Sequence, residues 1–180
     1  MARISKGDMK AMEHLVEIHQ CRILGTVSKM LGHHGDAEDI TQQIFLRVWN
    51  SAATYKSSAK FTTWLFKITR NLVLNELRRR KRHPSTPLEQ EEEENHFQAE
   101  DLQTPTPDES LLEAELQEAI QVAISSLPET QRMALVLRRY EELSYEEIGS
   151  VLNLSVSAVK STLFRARTEL REKLSSYLER

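Results

Sequence analysis

Apolar residues recur along this chain at the three- and four-residue spacings of amphipathic α-helices, and alternating strand-like runs are few. In the first eighty residues this spacing predicts three helices. Their inward positions include Met12, Ile23 and Val27, then Ile40, Ile44 and Val48, then Leu65, Ile68, Leu72 and Leu77. Asp36 is placed to cap the second helix, and we expect the third to begin after Thr62 or Thr63. The pattern favours an all-α fold.

The same spacing predicts further helices in the C-terminal part of the chain. Pro107 stands at the first position of one helix, and Pro128 opens the next. Ser144 begins a capping box, SYEE, and Ser155 is placed to cap the helix that follows. Asn153 lies between these last two helices, where a residue that tolerates a left-handed backbone is wanted. Two short helices joined by so tight a turn have the spacing of a helix-turn-helix motif.

A segment without helical spacing separates the two parts. Residues 83–106 are rich in Pro, Ser, Thr and acidic side chains and have few apolar anchors, which is typical of a solvated spacer. The sequence therefore predicts two small helical domains, 1–82 and 107–180, joined by a flexible acidic linker.

Charge is distributed unevenly along the chain. The net charge is −3, but residues 60–83 hold 8 basic and 1 acidic side chain, whereas residues 84–131 hold no basic and 13 acidic ones. A local basic patch of this kind indicates an anionic partner. Cys21 is the only cysteine, which excludes an intramolecular disulfide, and we expect it to be a small buried hydrophobe. No run of 18 or more apolar residues occurs, and the stretch MARISKGDMK has no long apolar core behind its charges, so we expect a cytoplasmic protein.

The helix-turn-helix segment is LSYEEIGSVLNLSVSAVKSTLFRAR, residues 143–167. In this motif the second helix lies in the major groove, where hydroxyl groups reach base edges and cations neutralise phosphates. Its outward positions are Ser157, Lys160, Ser161, Thr162, Phe164, Arg165 and Arg167. The alternative is a helical hairpin whose cations are simply solvated.

The segment KFTTWLFKITRNLVLNELRRRKR, residues 60–82, is a second candidate site. Phe61, Trp64 and Phe66 at its head could stack on bases while the cations follow the backbone of a single strand. Asn71 and Asn75 could add hydrogen bonds to base edges. The alternative is that Trp64 and Phe66 are core residues and that the cations only stabilise the C-terminal end of the helix through its dipole.

Three motifs in this order together resemble one known family. The segments are DAEDITQQIFLRVW, FTTWLFKITRNLVLNELRRRKR and LPETQRMALVLRRYEELSYEEIGSVLNLSVSAVKSTLFRARTELREKL. The family that they resemble is the sigma-70 type initiation factors of bacterial RNA polymerase, in their small extracytoplasmic-function (ECF) form. The first segment is similar to the polymerase-binding helix of that family, the second to its promoter-melting helix and the third to its helix-turn-helix domain. The resemblance covers most of the chain outside the linker.

The resemblance implies partners and roles. Core RNA polymerase would bind through the coiled coil of its β′ subunit and its β flap, and promoter DNA would be bound and melted at the minus-ten element. The acidic linker would run towards the RNA exit path, and an anti-sigma factor would be the usual regulator. No catalytic residue, cofactor or metal is implied.

The resemblance also assigns residues to three surfaces. The polymerase-binding set is Asp36, Asp39, Gln42, Gln43 and Arg47. The minus-ten set is Lys60, Phe61, Trp64, Lys67, Arg70, Asn71, Asn75, Arg78 and Arg79. The minus-thirty-five set is Ser155, Ser157, Lys160, Ser161, Thr162, Arg165 and Arg167. The chain departs from the family pattern at Gln43, where an acid is usual, at Thr162, where Arg is common, and at Asn153, where Gly is common.

Two other classes of protein compete with this interpretation. A stand-alone helix-turn-helix regulator would bind DNA without polymerase, but it usually needs a symmetric dimer, and the chain offers no obvious zipper. An enzyme could use a metal held by the segment HHGDAED, with His33, His34, Asp36, Glu38 and Asp39 as ligands. A turn between two helices explains these five residues equally well, and no phosphate-binding loop or nucleophile motif accompanies them.

Overall fold

The computed structural model describes residues 1–32, 36–56, 60–82 and 107–178, with side chains at all of these positions except 107–114 and 178. Every regular element in these ranges is helical, which confirms the all-α prediction. The helices are α1 (Met9–Leu31), α2 (Ala37–Ser51), α3 (Phe61–Arg82), α4 (Pro107–Ser125), α5 (Glu129–Arg139), α6 (Tyr145–Leu152), α7 (Val156–Lys173) and α8 (Ser175–Leu178). Short 3-10 turns precede α1 and follow α2. The linker proposed over 83–106 lies outside the described residues.

Two of the predicted helix starts, those of α6 and α7, are formed by local side-chain bonds. The capping box of α6 is complete, because the Ser144 hydroxyl accepts from the Glu147 N–H while the Glu147 carboxylate accepts from the Ser144 N–H. Ser155 caps α7 by accepting from the Ala158 N–H at 3.2 Å. Asn153 has the expected left-handed backbone, with φ of 58°. These local rules therefore hold across the whole helix-turn-helix.

Three predictions of local detail are wrong. Asp36 stands at the N-cap of α2, but its side chain caps nothing and accepts instead from Arg80, 2.7 Å away. Helix α3 begins at Phe61, before the predicted Thr62 or Thr63. Cys21 is exposed rather than buried, because the buried face of α1 runs through Ile23, Val27 and Met30 instead.

The two halves of the chain share a core. Helix α5 packs on α1, and α6 packs on α3. Fully buried side chains from both halves belong to one contiguous apolar cluster, among them Ile23, Val27 and Met30 of α1, Phe66 of α3, Val136 of α5 and Ile148 of α6. The helix-turn-helix is therefore held against the N-terminal helices. The division of the chain at residues 82 and 107 remains a prediction.

Candidate nucleic-acid interface

The turn of the helix-turn-helix is built by very close packing. A Cβ atom at Gly149 would lie 2.6 Å from the carbonyl oxygen of Leu154, so no larger residue fits where α6 meets the turn. The Leu154 N–H donates to the Gly149 carbonyl at 2.9 Å. Sequence spacing alone did not identify Gly149, and its signal was only a glycine inside a helical pattern. The contact fixes the direction in which α7 leaves the turn.

Helix α7 buries one face and presents the other to solvent. Val159, Leu163 and Ala166 are buried. The residues of the predicted minus-thirty-five set are exposed at Ser155, Ser157, Lys160, Ser161, Arg165 and Arg167, and half-buried at Thr162. Phe164 stands among them with 71% of its surface exposed. The exposed face thus combines hydroxyl groups, cations and one apolar ring.

The hydroxyl groups at the start of α7 are already ordered. Ser155 and Ser157 lie within hydrogen-bond distance of each other, with their hydroxyl oxygens 3.0 Å apart, and the Ser161 hydroxyl donates to the Ser157 carbonyl at 3.1 Å. Lys160 approaches the Tyr145 ring, with its Nζ 5.8 Å from the ring centroid. These contacts hold the first two turns of the exposed face in a defined arrangement before any ligand arrives.

The aromatic residues at the head of α3 form a cluster rather than separate platforms. The rings of Phe61 and Trp64 lie 5.9 Å apart, and Tyr55 contacts both at 6.1 and 5.0 Å. His19 of α1 packs 5.4 Å from Phe61, and burial lowers the pKa of its imidazole. Phe61 and Trp64 are half-buried, so part of each ring still faces solvent. Tyr55 and His19 were not among the predicted site residues.

Phe66 belongs to the core. Only 1% of its surface is exposed, and the Arg22 guanidinium of α1 lies 5.5 Å from its ring centroid. It lies on the buried side of α3 together with Leu65 and Val73. The prediction of Phe66 as a stacking platform is therefore wrong, and the alternative, that it is a core residue, is confirmed.

Much of the positive charge at the end of α3 is already paired within the chain. Glu76, only 8% exposed, accepts two hydrogen bonds from Arg79 at 2.7 and 2.8 Å and one from Arg80 at 2.9 Å. These bonds, those from Arg79 first, lower the pKa of the Glu76 carboxyl. Arg80 also donates to Asp36 at 2.7 Å. The predicted basic cluster is therefore an ion-pair network with part of its surface in solvent.

Two further cations, one in α3 and one just before it, form ion pairs with acidic residues of the C-terminal half. Lys60 lies 2.9 Å from a carboxylate oxygen of Glu147, and Lys81 donates to Glu129 at 2.6 Å. The other members of the minus-ten set differ in exposure: Asn71, Asn75 and Arg78 are exposed, whereas Lys67 and Arg70 are half-buried.

Helix α2 presents a polar face with an apolar residue at its centre. Asp39, Gln42, Gln43 and Arg47 are exposed. Leu46, with 61% of its surface exposed, lies between them. Exposed apolar side chains surrounded by polar ones are common at protein interfaces. Asp36 is turned away towards Arg80, so the structure does not bring it together with the other four.

The described residues contain no group of three or more His, Cys, Asp and Glu side chains able to hold a metal ion, and His33 and His34 lie outside them. In the described part of the chain, no helix combines the length and the apolar character needed to cross a membrane.

Comparison with known proteins finds family models that match the segments containing both candidate elements, α3 and α7. The family model Sigma-70 region 2 matches residues 15–83, and Sigma-70, region 4 matches residues 117–170. The chain is 33% identical to the ECF RNA polymerase sigma-E factor of Escherichia coli K12, over 99% of this chain and 94% of that protein. It is 31% identical to the RNA polymerase sigma-H factor of Pseudomonas aeruginosa, over 98% of this chain and 92% of that protein.

Solved structures show the same fold. The sigma factor RpoE of Bartonella quintana, solved with the anti-sigma factor NepR, matches with a TM-score of 0.71 at 21% identity, over 92% of this chain and 98% of that one. CnrH, solved with the cytosolic domain of CnrY, matches with a TM-score of 0.71 at 23% identity, over 97% and 94%. With region 2 and region 4 in the predicted order and relatives that align along nearly the whole length, this chain belongs to the ECF group of sigma-70 RNA polymerase sigma factors.

Proposed function

We propose that this protein binds core RNA polymerase, directs it to promoters and helps to open the minus-ten element. Sigma factors are non-enzymatic regulators of transcription, and membership of the family points to that role. The observation that carries the proposal is the exposed face of α7, where Lys160, Phe164 and Arg165 stand together behind a tight, side-chain-capped turn.

The face of α7 is suited to duplex DNA. Guanidinium and ammonium groups on one side of a helix neutralise phosphates or donate to guanine edges in the major groove. Arg165 is exposed and can reach either target. Phe164 can contact a thymine methyl group, which is the apolar feature of that groove. This face would read the minus-thirty-five element, and Thr162, half-buried, would contribute least.

The head of α3 is suited to an unpaired strand. Trp64 and Phe61 expose part of their rings beside Lys60, and Asn71 and Asn75 are exposed further along the helix. Stacking on an aromatic ring stabilises an unpaired base, so a surface of this kind favours the melted state over the duplex. The minus-ten element would be held here after its strands separate.

The exposed face of α2 is the proposed contact with the β′ coiled coil of polymerase. Leu46 would supply buried apolar area at its centre, and Asp39 and Arg47 would form the charged rim. Gln43 supplies no charge where the family usually has an acid. The two solved neighbours are complexes with an anti-sigma factor and with the cytosolic domain of CnrY, and a comparable protein inhibitor is the proposed regulator.

The experiment is run-off transcription with core bacterial RNA polymerase, the purified protein and a pool of promoters at fixed salt. We expect transcripts that depend on the protein. Leu46→Glu should abolish both transcripts and co-elution with core polymerase, because it places a charge at the centre of the contact, whereas the exposed Lys10→Glu on α1 should change neither. Binding of duplex DNA without any binding of core polymerase would replace the proposal with a stand-alone regulator.

A further inference from the structure

The loop between α5 and α6 inserts an acidic side chain into the N-terminal half. Glu141 is only 5% exposed. Its carboxylate accepts hydrogen bonds from the Arg22 guanidinium and from the Thr26 hydroxyl, the latter at 2.5 Å, and its carbonyl accepts a second bond from Arg22 at 3.0 Å. Both partners belong to α1. A buried carboxylate is tolerated only when it is paired in this way.

The backbone of this loop is shaped around the insertion. Glu142, the next residue, has φ of 54°, a left-handed conformation that non-glycine residues adopt rarely. Arg138 donates to the Leu143 carbonyl at 2.9 Å and closes the loop from the other side. Tyr140 lies under Lys29 of α1, with the Nζ atom 4.6 Å from the ring centroid. The loop therefore presents Glu141 to α1 in a fixed geometry.

A second polar contact joins the same two helices. Arg132 of α5 is 9% exposed and donates to the Met30 carbonyl at 2.7 Å. Met30 lies in the last turn of α1, where carbonyl groups lack helical partners. Arg132 thus caps α1 from the other half of the chain, and charged contacts of this kind give an interface its specificity more than its strength.

When the C-terminal half packs on the N-terminal half, two cations that would contact DNA in the proposed function form ion pairs within the chain. Lys60 is a predicted minus-ten contact and is paired with Glu147 of α6. Lys81 of the basic end of α3 is paired with Glu129 of α5. Glu147 and Glu129 therefore bind the same two lysines that DNA phosphate groups would contact.

The packed arrangement is too short to span a promoter. The minus-ten and minus-thirty-five elements are about 25 base pairs apart, which is roughly 85 Å at about 3.4 Å per pair. Helix α6 packs on both α3 and α7, which leaves these two helices within a few helix diameters, each about 10 Å. A fully extended chain of the length of residues 83–106 covers about 80 Å. Both elements can be contacted together only after the two halves separate.

We propose that the free chain rests in this closed state, that the insertion of Glu141 between Arg22 and Thr26 is its latch, and that the latch must open before the protein can engage a promoter. The inference rests on the proposed function. A closed state reduces the apparent affinity for DNA and polymerase by the fraction of molecules that are open. Breaking the latch therefore increases activity, which is the opposite of what damage to a binding site does.

The test uses two single variants of the full chain. Glu141→Gln changes the buried partner of the ion pair, and Arg22→Gln changes the exposed partner. The matched control is Glu142→Gln, which removes the same charge from the neighbouring exposed residue. Circular dichroism confirms that each variant is helical. Small-angle X-ray scattering then gives the radius of gyration of the free protein. A compact chain of this length has a radius of gyration of about 16 Å. Run-off transcription gives the protein concentration at half-maximal activity with core polymerase.

We expect both latch variants to increase the radius of gyration by several ångström and to lower the half-maximal concentration at least about fivefold, with no change for Glu142→Gln. An unchanged radius in both latch variants would overturn the latch. A larger radius with an unchanged half-maximal concentration would overturn its inhibitory role. If neither the wild type nor any variant supports transcription, the proposed function is wrong. A larger radius of gyration in the two latch variants would still support the latch in that case.

Discussion

Helices α3 and α7 are both candidate DNA-binding elements, but they hold their charges in different ways. In α3 the cations are numerous, and most of those near its end are already paired: Arg79 and Arg80 with Glu76, and Lys81 with Glu129. In α7, Lys160, Arg165 and Arg167 are fewer and exposed, and none forms an ion pair with a carboxylate in the described part of the chain. The number of cations in a segment is therefore a poor measure of the charge that it can offer to DNA.

The difference has a physical consequence for each helix. A cation in solvent contributes to phosphate binding by releasing counterions from the DNA. A cation that already donates to a carboxylate must first exchange that partner, so its net contribution is smaller. The face of α7 is thus ready for a ligand, whereas the end of α3 becomes available only when its cations separate from their acidic partners.

The largest effect should come from α7. We expect Arg165→Ala to weaken promoter binding by the polymerase holoenzyme by about 1–3 kcal/mol, which is roughly 5- to 150-fold. Arg171→Ala, an exposed residue near the end of the same helix, should have little effect. Filter binding of holoenzyme to promoter DNA at fixed salt measures both. Equal losses in the two variants would mean that α7 contributes only general positive charge.

The aromatic cluster should give the next largest effect. We expect Trp64→Ala to reduce the free energy of unfolding by about 2 kcal/mol, because the ring is half-buried against Tyr55 and Phe61. It should also reduce strand opening at the minus-ten element, which permanganate footprinting detects. Trp64→Phe keeps an aromatic face and should retain most of the opening. Normal opening by the alanine variant would restrict Trp64 to a structural role.

The ion-pair network of α3 can be tested by removing its acid. Glu76→Gln should release Arg79 from its carboxylate partner, while Arg80 keeps its bond to Asp36. The released charge should strengthen binding of single-stranded DNA and steepen its salt dependence by about 0.7 for each additional phosphate contact. The substitution should also reduce stability by about 1 kcal/mol. Glu38→Gln, at an exposed acid on α2, removes the same charge and is the control. Identical salt slopes in the two variants would show that the pairing does not limit DNA binding.

Acid titration of the same variant tests the pairing of Glu76 in a second way. The pKa of Glu76 is held below the ordinary value of 4.5, chiefly by the hydrogen bonds from Arg79. The stability that the carboxylate contributes is therefore present above pH 4.5 and is lost as the pH falls through the lowered pKa. The difference in unfolding free energy between wild type and Glu76→Gln should shrink on acidification below that point, as urea denaturation at a series of pH values would show.

The smallest effect should come from His19. Its pKa lies below the ordinary value of 6.5 because of burial, so the unfolded chain takes up a proton before the folded one does. Stability should therefore fall slightly as the pH drops through about 6.5. His19→Leu should remove this slope, and His14→Leu, at an exposed residue of the same helix, should keep it. Thermal unfolding between about pH 8 and pH 5.5 makes the comparison.

Local features were predictable from the sequence because their causes are local. The helical spacing predicted the outward face of α7, and the caps at Ser144 and Ser155 predicted the starts of α6 and α7. Each depends on residues within four or five positions of one another. The same is true of each of the three motifs, whose order was sufficient to suggest the family.

The helices, the helix-turn-helix and the exposed face of α7 could thus be predicted from the chain alone. The burial of Phe66, the exposure of Cys21 and the contact of Glu141 with Arg22 across a separation of 119 residues became known only from the folded molecule. The two groups differ in range, because helix periodicity and capping act between near neighbours. Burial and the pairing of distant charges depend on which surfaces pack together, and no local pattern encodes that choice.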